Sequence, residues 1–98
     1  MIGDKFMQRE IDMAPYEEQF TKLERLFFER MSAMNIVAYM ADRQFNEAQY
    51  KRVFEHYVEI NQTYEKYVKE FENDVLIPLI EGYFHWEADF ERGVVHVS

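Results

Sequence analysis

Residues 45–71 of the chain read FNEAQYKRVFEHYVEINQTYEKYVKEF, and this segment carries the clearest periodic pattern in the sequence. Its large apolar residues recur at alternating steps of three and four, which is the spacing of a helix that packs lengthwise on another helix. They are Tyr50, Val53, Tyr57, Ile60, Tyr64, Tyr67 and Phe71. Asn46 is the expected cap, with Gln49 completing a capping box and Phe45 forming a hydrophobic staple with Tyr50. We therefore predict a helix over about residues 47–73.

A second periodic segment precedes this one, with apolar residues at Phe20, Leu23, Phe27, Met34, Val37 and Ala41. Arg30 interrupts the series, and we expect its aliphatic stem to lie on apolar neighbours while its charge stays in water. Asp12 is the expected N-cap, and Pro15 falls in the first turn, where its missing N–H costs nothing. The pattern predicts a helix over about residues 13–42, antiparallel to the next helix because the connection is short. Residues 1–11 show no period and are expected to form a loose N-terminal arm.

The last third of the chain repeats a helical spacing at Leu76, Leu79, Tyr83, Trp86 and Phe90. Pro78 either kinks a continuation of the second helix or lies in the first turn of a third helix capped by Asp74. We favour a third helix over about residues 75–92, ended by Gly93. The expected fold is one all-α domain over residues 1–98, a long antiparallel hairpin with a shorter third helix. This three-helix bundle is expected to be completed by dimerisation.

Composition excludes several classes of function. The chain has 98 residues, 48% of them hydrophobic, and no cysteine, so we expect one folded domain without disulfides or thiolate metal sites. Its net charge is −8, with seven acidic residues and one basic residue between positions 70 and 98. Direct nucleic-acid binding is therefore not expected. Because no apolar run resembles a signal peptide or a membrane span, a cytoplasmic protein without membrane contact is expected.

The residues that could bind a metal ion form two small sets. Glu81, His85 and Asp89 share one side of the predicted third helix, and His56 and Glu59 are neighbours on the second helix. Di-iron helical bundles repeat a Glu-x-x-His pair on matching helices, and that motif is missing here. A solvated polar face is the favoured interpretation, and a metal- or ligand-binding bundle is the lesser alternative. No nucleophile–base pair or glycine-rich phosphate loop is visible, so neither an enzyme nor a cofactor is expected.

Surplus apolar residues give the strongest indication of function. Residues 31–41 are apolar on two sides of the predicted first helix, and the third helix opens with VLIPLI. The expected interaction surface comprises Ile36, Tyr39, Met40, Ile77, Ile80 and Phe84. The leading hypothesis is a small helical protein–protein interaction module, an adaptor, regulator or assembly subunit, which binds itself as a homodimer or binds another helical protein. The alternative is an acidic mimic of nucleic acid that inhibits a basic nucleic-acid-binding protein, in the manner of phage anti-defence proteins.

Overall fold

The computed structural model describes residues 9–43, 46–80 and 85–98 of the chain. Two long helices form an antiparallel hairpin, and a small antiparallel sheet packs at one end of it. The helices are α1, Glu17–Ala41, and α2, Glu47–Phe71, and the strands are β1, Arg9–Asp12, β2, Trp86–Asp89, and β3, Val94–Val97. The predicted hairpin is confirmed. The predicted all-α bundle with a third helix is wrong, because strands take the place of that helix.

A short 3-10 helix, Ala14–Tyr16, leads from β1 into α1. Asp12 Oδ1 accepts a hydrogen bond from the backbone N–H of Ala14 at 3.0 Å, and Pro15 lies in the turn that follows. This contact forms an Asx-turn that leads into the 3-10 helix, and the predicted N-cap at Asp12 is wrong, because the caps are Met13 for the 3-10 helix and Tyr16 for α1, neither with a side-chain cap bond. The first turn is of 3-10 type, so the α-helix begins at Glu17 rather than at about residue 13.

The predicted cap of α2 is confirmed. Asn46 has an extended backbone, with φ −67° and ψ 143°, and its Oδ1 accepts the backbone N–H of Gln49 at 3.1 Å. That bond satisfies one of the N–H groups that the first turn of any helix leaves without an internal partner. The predicted staple cannot be described in the same way, because Phe45 lies outside the described residues.

At its other end, α2 continues into a π-helical turn, Glu72–Leu76, in which the N–H of Ile77 donates to the carbonyl of Glu72 at 2.8 Å. Pro78 lies in the turn that follows, so it neither kinks α2 nor starts a helix. Gly93, predicted as a helix cap, instead lies in the turn between β2 and β3 with φ +68°. A positive φ is a conformation that glycine adopts without steric cost.

The sheet has the order β1-β3-β2, and both pairings are antiparallel. Ile11 lies opposite Val95, which lies opposite Ala88, and this row contributes to the core. Successive side chains of a strand point to opposite faces. The acidic residues of β1 and β2 that alternate with the core residues therefore point to the outer face. The loose arm predicted for residues 1–11 is wrong for residues 9–11, which lie in edge strand β1.

The hydrophobic core lies where the sheet meets the first turns of α1 and the last turns of α2. A chain this short can build only a small core, and in the part of the chain that the structure describes the core cluster lies at one end of the hairpin. Its buried members are Met13, Phe20, Leu23, Phe71, Val75, Leu76, Ile80, Val95 and Val97.

Beyond this core, α1 buries only Leu26, Ala33 and Met40, seven residues apart. The predicted seam had instead placed Met34 and Ala41 against α2, and both are exposed. The error is one of register: residues 31–41 are apolar on two sides, so apolar spacing alone fits two stripes of the same helix.

The molecule is elongated, with principal extents of 53 × 32 × 23 Å and a radius of gyration of 17.1 Å. A compact domain of this length has a radius of gyration of about 13 Å. The excess reflects the hairpin, which extends past the sheet. Within the described part of the chain, no helix combines the length and apolarity that a membrane crossing requires.

Candidate interaction surface

Two parts of the molecule differ in how their helices are covered. We call the sheet with the helical turns packed on it the base, and residues 24–41 and 46–63 the distal hairpin. Five of the six large apolar side chains that are exposed in the described chain lie in the distal hairpin. They are Phe28 (50% exposed), Met34 (40%), Ile36 (51%), Tyr39 (54%) and Phe54 (43%), and the sixth is Ile77 (53%).

One side of the distal hairpin is an open apolar groove between the helices. Ala33 and Ile36 line it from α1, and Val53 and His56 line it from α2. The groove continues toward the base past Phe28 and Ile60. We call this the groove side.

Met34 and Phe54 lie on the other side. Each is two residues from a groove-lining residue, Ile36 on α1 and His56 on α2, and two residues correspond to about 200° of rotation around a helix. Phe54 is the middle ring of a series along α2, with its centroid 6.2 Å from the Tyr50 ring and 6.3 Å from the Tyr57 ring. We call this surface the Met34–Phe54 face.

A polar contact fixes the helices relative to each other. Arg30 Nε donates to Asn61 Oδ1 at 2.6 Å, and Asn61 Nδ2 donates to Glu65 Oε1 at 3.2 Å. The Arg30 guanidinium also lies over the Tyr64 ring, 5.3 Å from its centroid. Burial raises the pKa of the Tyr64 hydroxyl, and the nearby Arg30 charge opposes that rise. Arg30 is half-buried, but its guanidinium bonds to Asn61 and lies over Tyr64, whereas the prediction left its charge in water without a partner.

The predicted interaction residues do not form one surface. Ile36 and Tyr39 are exposed in the distal hairpin, whereas Met40 (9% exposed) and Ile80 (8%) are buried. Ile77 is exposed but follows the end of α2, at the base. Phe84 lies outside the described residues. Sequence analysis missed Met34 and Phe54, since it assigned Met34 to the helix–helix seam and gave Phe54 no role.

The predicted metal candidates are divided between two elements. His56 and Glu59 are exposed on α2, whereas His85 and Asp89 lie at β2, and Glu81 is outside the described residues. Asp89 accepts the backbone N–H of Arg92 at 3.1 Å and lies 3.4 Å from His96 Nε2. In the described ranges, no three His, Asp or Glu side chains are arranged to hold a metal ion.

A charged cluster on the outer face of the sheet joins its three strands. Arg92 binds both carboxylate oxygens of Glu10, at 2.6 and 3.1 Å, and His96 lies between Glu10 (3.7 Å) and Asp89 (3.4 Å). The Arg92 hydrogen bond lowers the pKa of Glu10, and the backbone N–H of Arg92 lowers the pKa of Asp89. The acidic alternation in REID and WEAD was the sequence signal for this face.

The geometry therefore offers two apolar sides of the distal hairpin, the groove side and the Met34–Phe54 face, and a charged outer face of the sheet. Comparisons of the chain with known protein families, with curated proteins and with solved structures returned no match.

Proposed function

We propose that the protein is a small interaction module that binds other proteins through the distal hairpin. The observation that carries the proposal is the distribution of exposed apolar side chains. Four of the six, Met34, Ile36, Tyr39 and Phe54, lie where two helices form the only layer that the described residues provide, and a fifth, Phe28, lies beside Phe90 of the base.

Elementary packing supports this reading. A helix with apolar residues on more than one side requires more than one packing neighbour. In the distal hairpin, α1 has α2 on one side, and Met34, Ile36 and Tyr39 remain at least 40% exposed on its other sides. Large apolar side chains that are exposed together in one region often mark an interaction site. A helical partner, either a second copy or another helical protein, would provide the missing layer.

A second candidate function draws on the outer face of the sheet. Glu10 and Asp12 on β1 and Glu87 and Asp89 on β2 project carboxylates from that face, as an acidic mimic of nucleic acid would require. However, Arg92 and His96 already pair with Glu10 and Asp89, which leaves less negative charge for a basic partner. We therefore place this function second.

The test compares lysine substitutions of equal charge. Met34→Lys and Ile36→Lys introduce a charge into the apolar surface, and Gln62→Lys introduces the same charge at an exposed polar position of α2. If the distal hairpin binds partners through apolar contacts, the first two variants should bind an environment-sensitive apolar dye more weakly than the wild type. They should also retain less partner in affinity capture. Gln62→Lys should behave as the wild type does. Helical circular dichroism confirms that each variant is folded.

Salt separates the two candidate functions. Apolar binding should survive about 1 M salt, where the Debye length is about 3 Å, whereas a basic partner held by carboxylates should dissociate. Equal dye binding and capture by all four proteins would contradict the proposed function.

A further inference from the structure

We infer that the outer edge of β2 binds an extended, basic segment of another protein, which adds to the sheet as a fourth, antiparallel strand. This surface belongs to the base, so the inference goes beyond the proposed function and does not depend on the distal hairpin. It follows from the backbone groups that β2 leaves free, from the apolar cleft beside them and from the charge of that cleft.

The first step concerns the backbone of β2. His85 and Ser98 exchange both of their N–H to C=O hydrogen bonds, at 2.9 and 2.8 Å. In an antiparallel ladder, such bonded pairs alternate with pairs that exchange no bonds. The next residue of β2 that bonds to β3 is therefore Glu87, and the N–H and C=O groups of Trp86 and Ala88 point away from β3. Because β2 is an edge strand, these groups have no backbone partner among the described residues.

The second step concerns an open cleft of about 540 Å³ beside this edge, a volume typical of ligand-binding sites. Residues of β2 from both faces of the sheet line it, so it runs along the edge of the strand. Its apolar lining includes Leu23 and Phe27 of α1, Tyr64 and Val68 of α2, and Trp86 and Ala88 of β2. Phe27, Tyr64 and Val68 are only half-buried, so a further strand beside β2 would cover them.

The edge and the cleft together specify the pattern of the added segment. A residue directly opposite Trp86 or Ala88 would exchange two hydrogen bonds with it. Its side chain would enter the cleft, since directly opposite residues lie on the same face of a sheet. The residue between these two would lie opposite Glu87, on the outer face. The segment therefore has two apolar residues separated by one residue that faces solvent.

The third step concerns charge. Glu72 and Glu87 line the cleft, whereas no Lys or Arg residue does. In the described chain, neither carboxylate forms a hydrogen bond or an ion pair. Opposite charges on directly opposite residues of two strands attract, so a Lys or Arg residue suits the position opposite Glu87.

Charge also distinguishes such a partner from a second copy of this chain. If two β2 edges paired antiparallel with Trp86 opposite Ala88, Glu87 of one copy would face Glu87 of the other. Like charges on directly opposite residues are destabilising. The occupant that fits is therefore a segment of another protein, with the pattern apolar–basic–apolar.

Intrinsic fluorescence tests the inference, because Trp86 is the only tryptophan of the chain and lines the cleft. The probe is the terminally capped peptide Thr-Val-Lys-Val-Thr. Titration of the full chain with up to about 2 mM peptide should shift the emission of Trp86 to shorter wavelength and reach saturation. The matched control, Thr-Val-Glu-Val-Thr, should bind at least about 3-fold more weakly, because its carboxylate lies opposite Glu87.

Methylated peptides test the strand pairing itself. N-methylation of one valine removes an N–H group that donates to β2, and it should weaken binding at least about 5-fold. N-methylation of the lysine is the matched control and should leave binding within about 2-fold, since that N–H group points away from β2. Equal weakening by the two modifications would show that the peptide does not add as the proposed strand, and it would overturn the inference.

A charge reversal in the protein tests the position of the basic residue. Glu87→Lys should reverse the preference, so that the glutamate peptide binds more tightly than the lysine peptide. Glu59→Lys makes the same change at an exposed position of α2 outside the cleft, and it should keep the preference of the wild type. Circular dichroism confirms that both variants are folded. An unchanged preference in folded Glu87→Lys would contradict the proposed register.

Hydrogen exchange identifies other occupants of the edge. In the free chain, the amides of Trp86 and Ala88 should exchange faster than the amide of Glu87, which bonds within the ladder, and the lysine peptide should slow both. Protection of these two amides without peptide would show that the chain itself or a second copy already pairs with the edge, and it would overturn the inference. So would a chain that binds neither peptide. None of these outcomes affects the distal hairpin, which Met34→Lys and Ile36→Lys test separately.

Discussion

The side chain and backbone of Asn46 determine where α2 begins. Its Oδ1 accepts the N–H of Gln49, and its extended backbone turns the chain into the first turn of α2. The cap could be predicted from the sequence because donor and acceptor lie three residues apart. Arg30 and Asn61 are 31 residues apart, so nothing local in the sequence indicated their hydrogen bond.

Replacing Asn46 with alanine should destabilise the protein by roughly 0.5–2 kcal/mol, because the N–H of Gln49 loses its acceptor. Asn46→Asp is the matched control and should retain most of the stability, since a carboxylate oxygen accepts the same bond at a helix N-terminus. Chemical denaturation measures both. An alanine variant as stable as the wild type would show that the cap contributes nothing in solution.

At the scale of elements, the two long helices were predictable and the C-terminal strands were not. The helices repeat their pattern over some seven turns, so errors at single positions do not hide it. The strands within residues 86–97 are harder to predict from the sequence, because each is only four residues long. Trp86 and Phe90 fit both a helical spacing and an alternating one. Only contact with β1, some 80 positions earlier in the chain, gives β3 its second neighbour.

Edge strand β1 is held to β3 by backbone pairing and by the cluster of Glu10, Arg92 and His96. Glu10 and Asp89 have lowered pKa values in the folded protein. Their contribution to stability is therefore complete above their unfolded pKa values and is lost as the pH falls through the folded values. This loss should begin below about pH 4.5, the ordinary pKa of a glutamate.

Glu10→Gln should accordingly reduce the dependence of the thermal midpoint on pH in this acidic range. Glu87→Gln, on the same outer face in β2, is the matched control and should keep the slope of the wild type. The measurement is thermal unfolding by circular dichroism between about pH 2.5 and 7. Identical slopes for Glu10→Gln and the wild type would show that the Arg92 contact does not persist in solution.

At the scale of the whole molecule, the base and the distal hairpin are built differently. Among the described residues, the base combines helices and sheet around nine buried side chains, whereas the distal hairpin buries Leu26, Ala33 and Met40. Surplus apolar residues could be predicted from the sequence, and Ile36 and Tyr39 are indeed exposed. Which residues share a face could not be predicted, because that depends on a helix register that residues 31–41 leave ambiguous.

Hydrogen exchange of the backbone amides, resolved along the chain at about 1 μM, tests the central claim that the hairpin is covered at one end only. Helical turns that pack only on one other helix open more readily than helical turns that also pack on a sheet. Amides of residues 28–41 and 50–60 should therefore exchange at least about 10-fold faster than those of residues 20–23 and 64–76. Equal, slow exchange along both helices at this concentration would contradict the account, because it would mean that the distal hairpin is already covered within one chain.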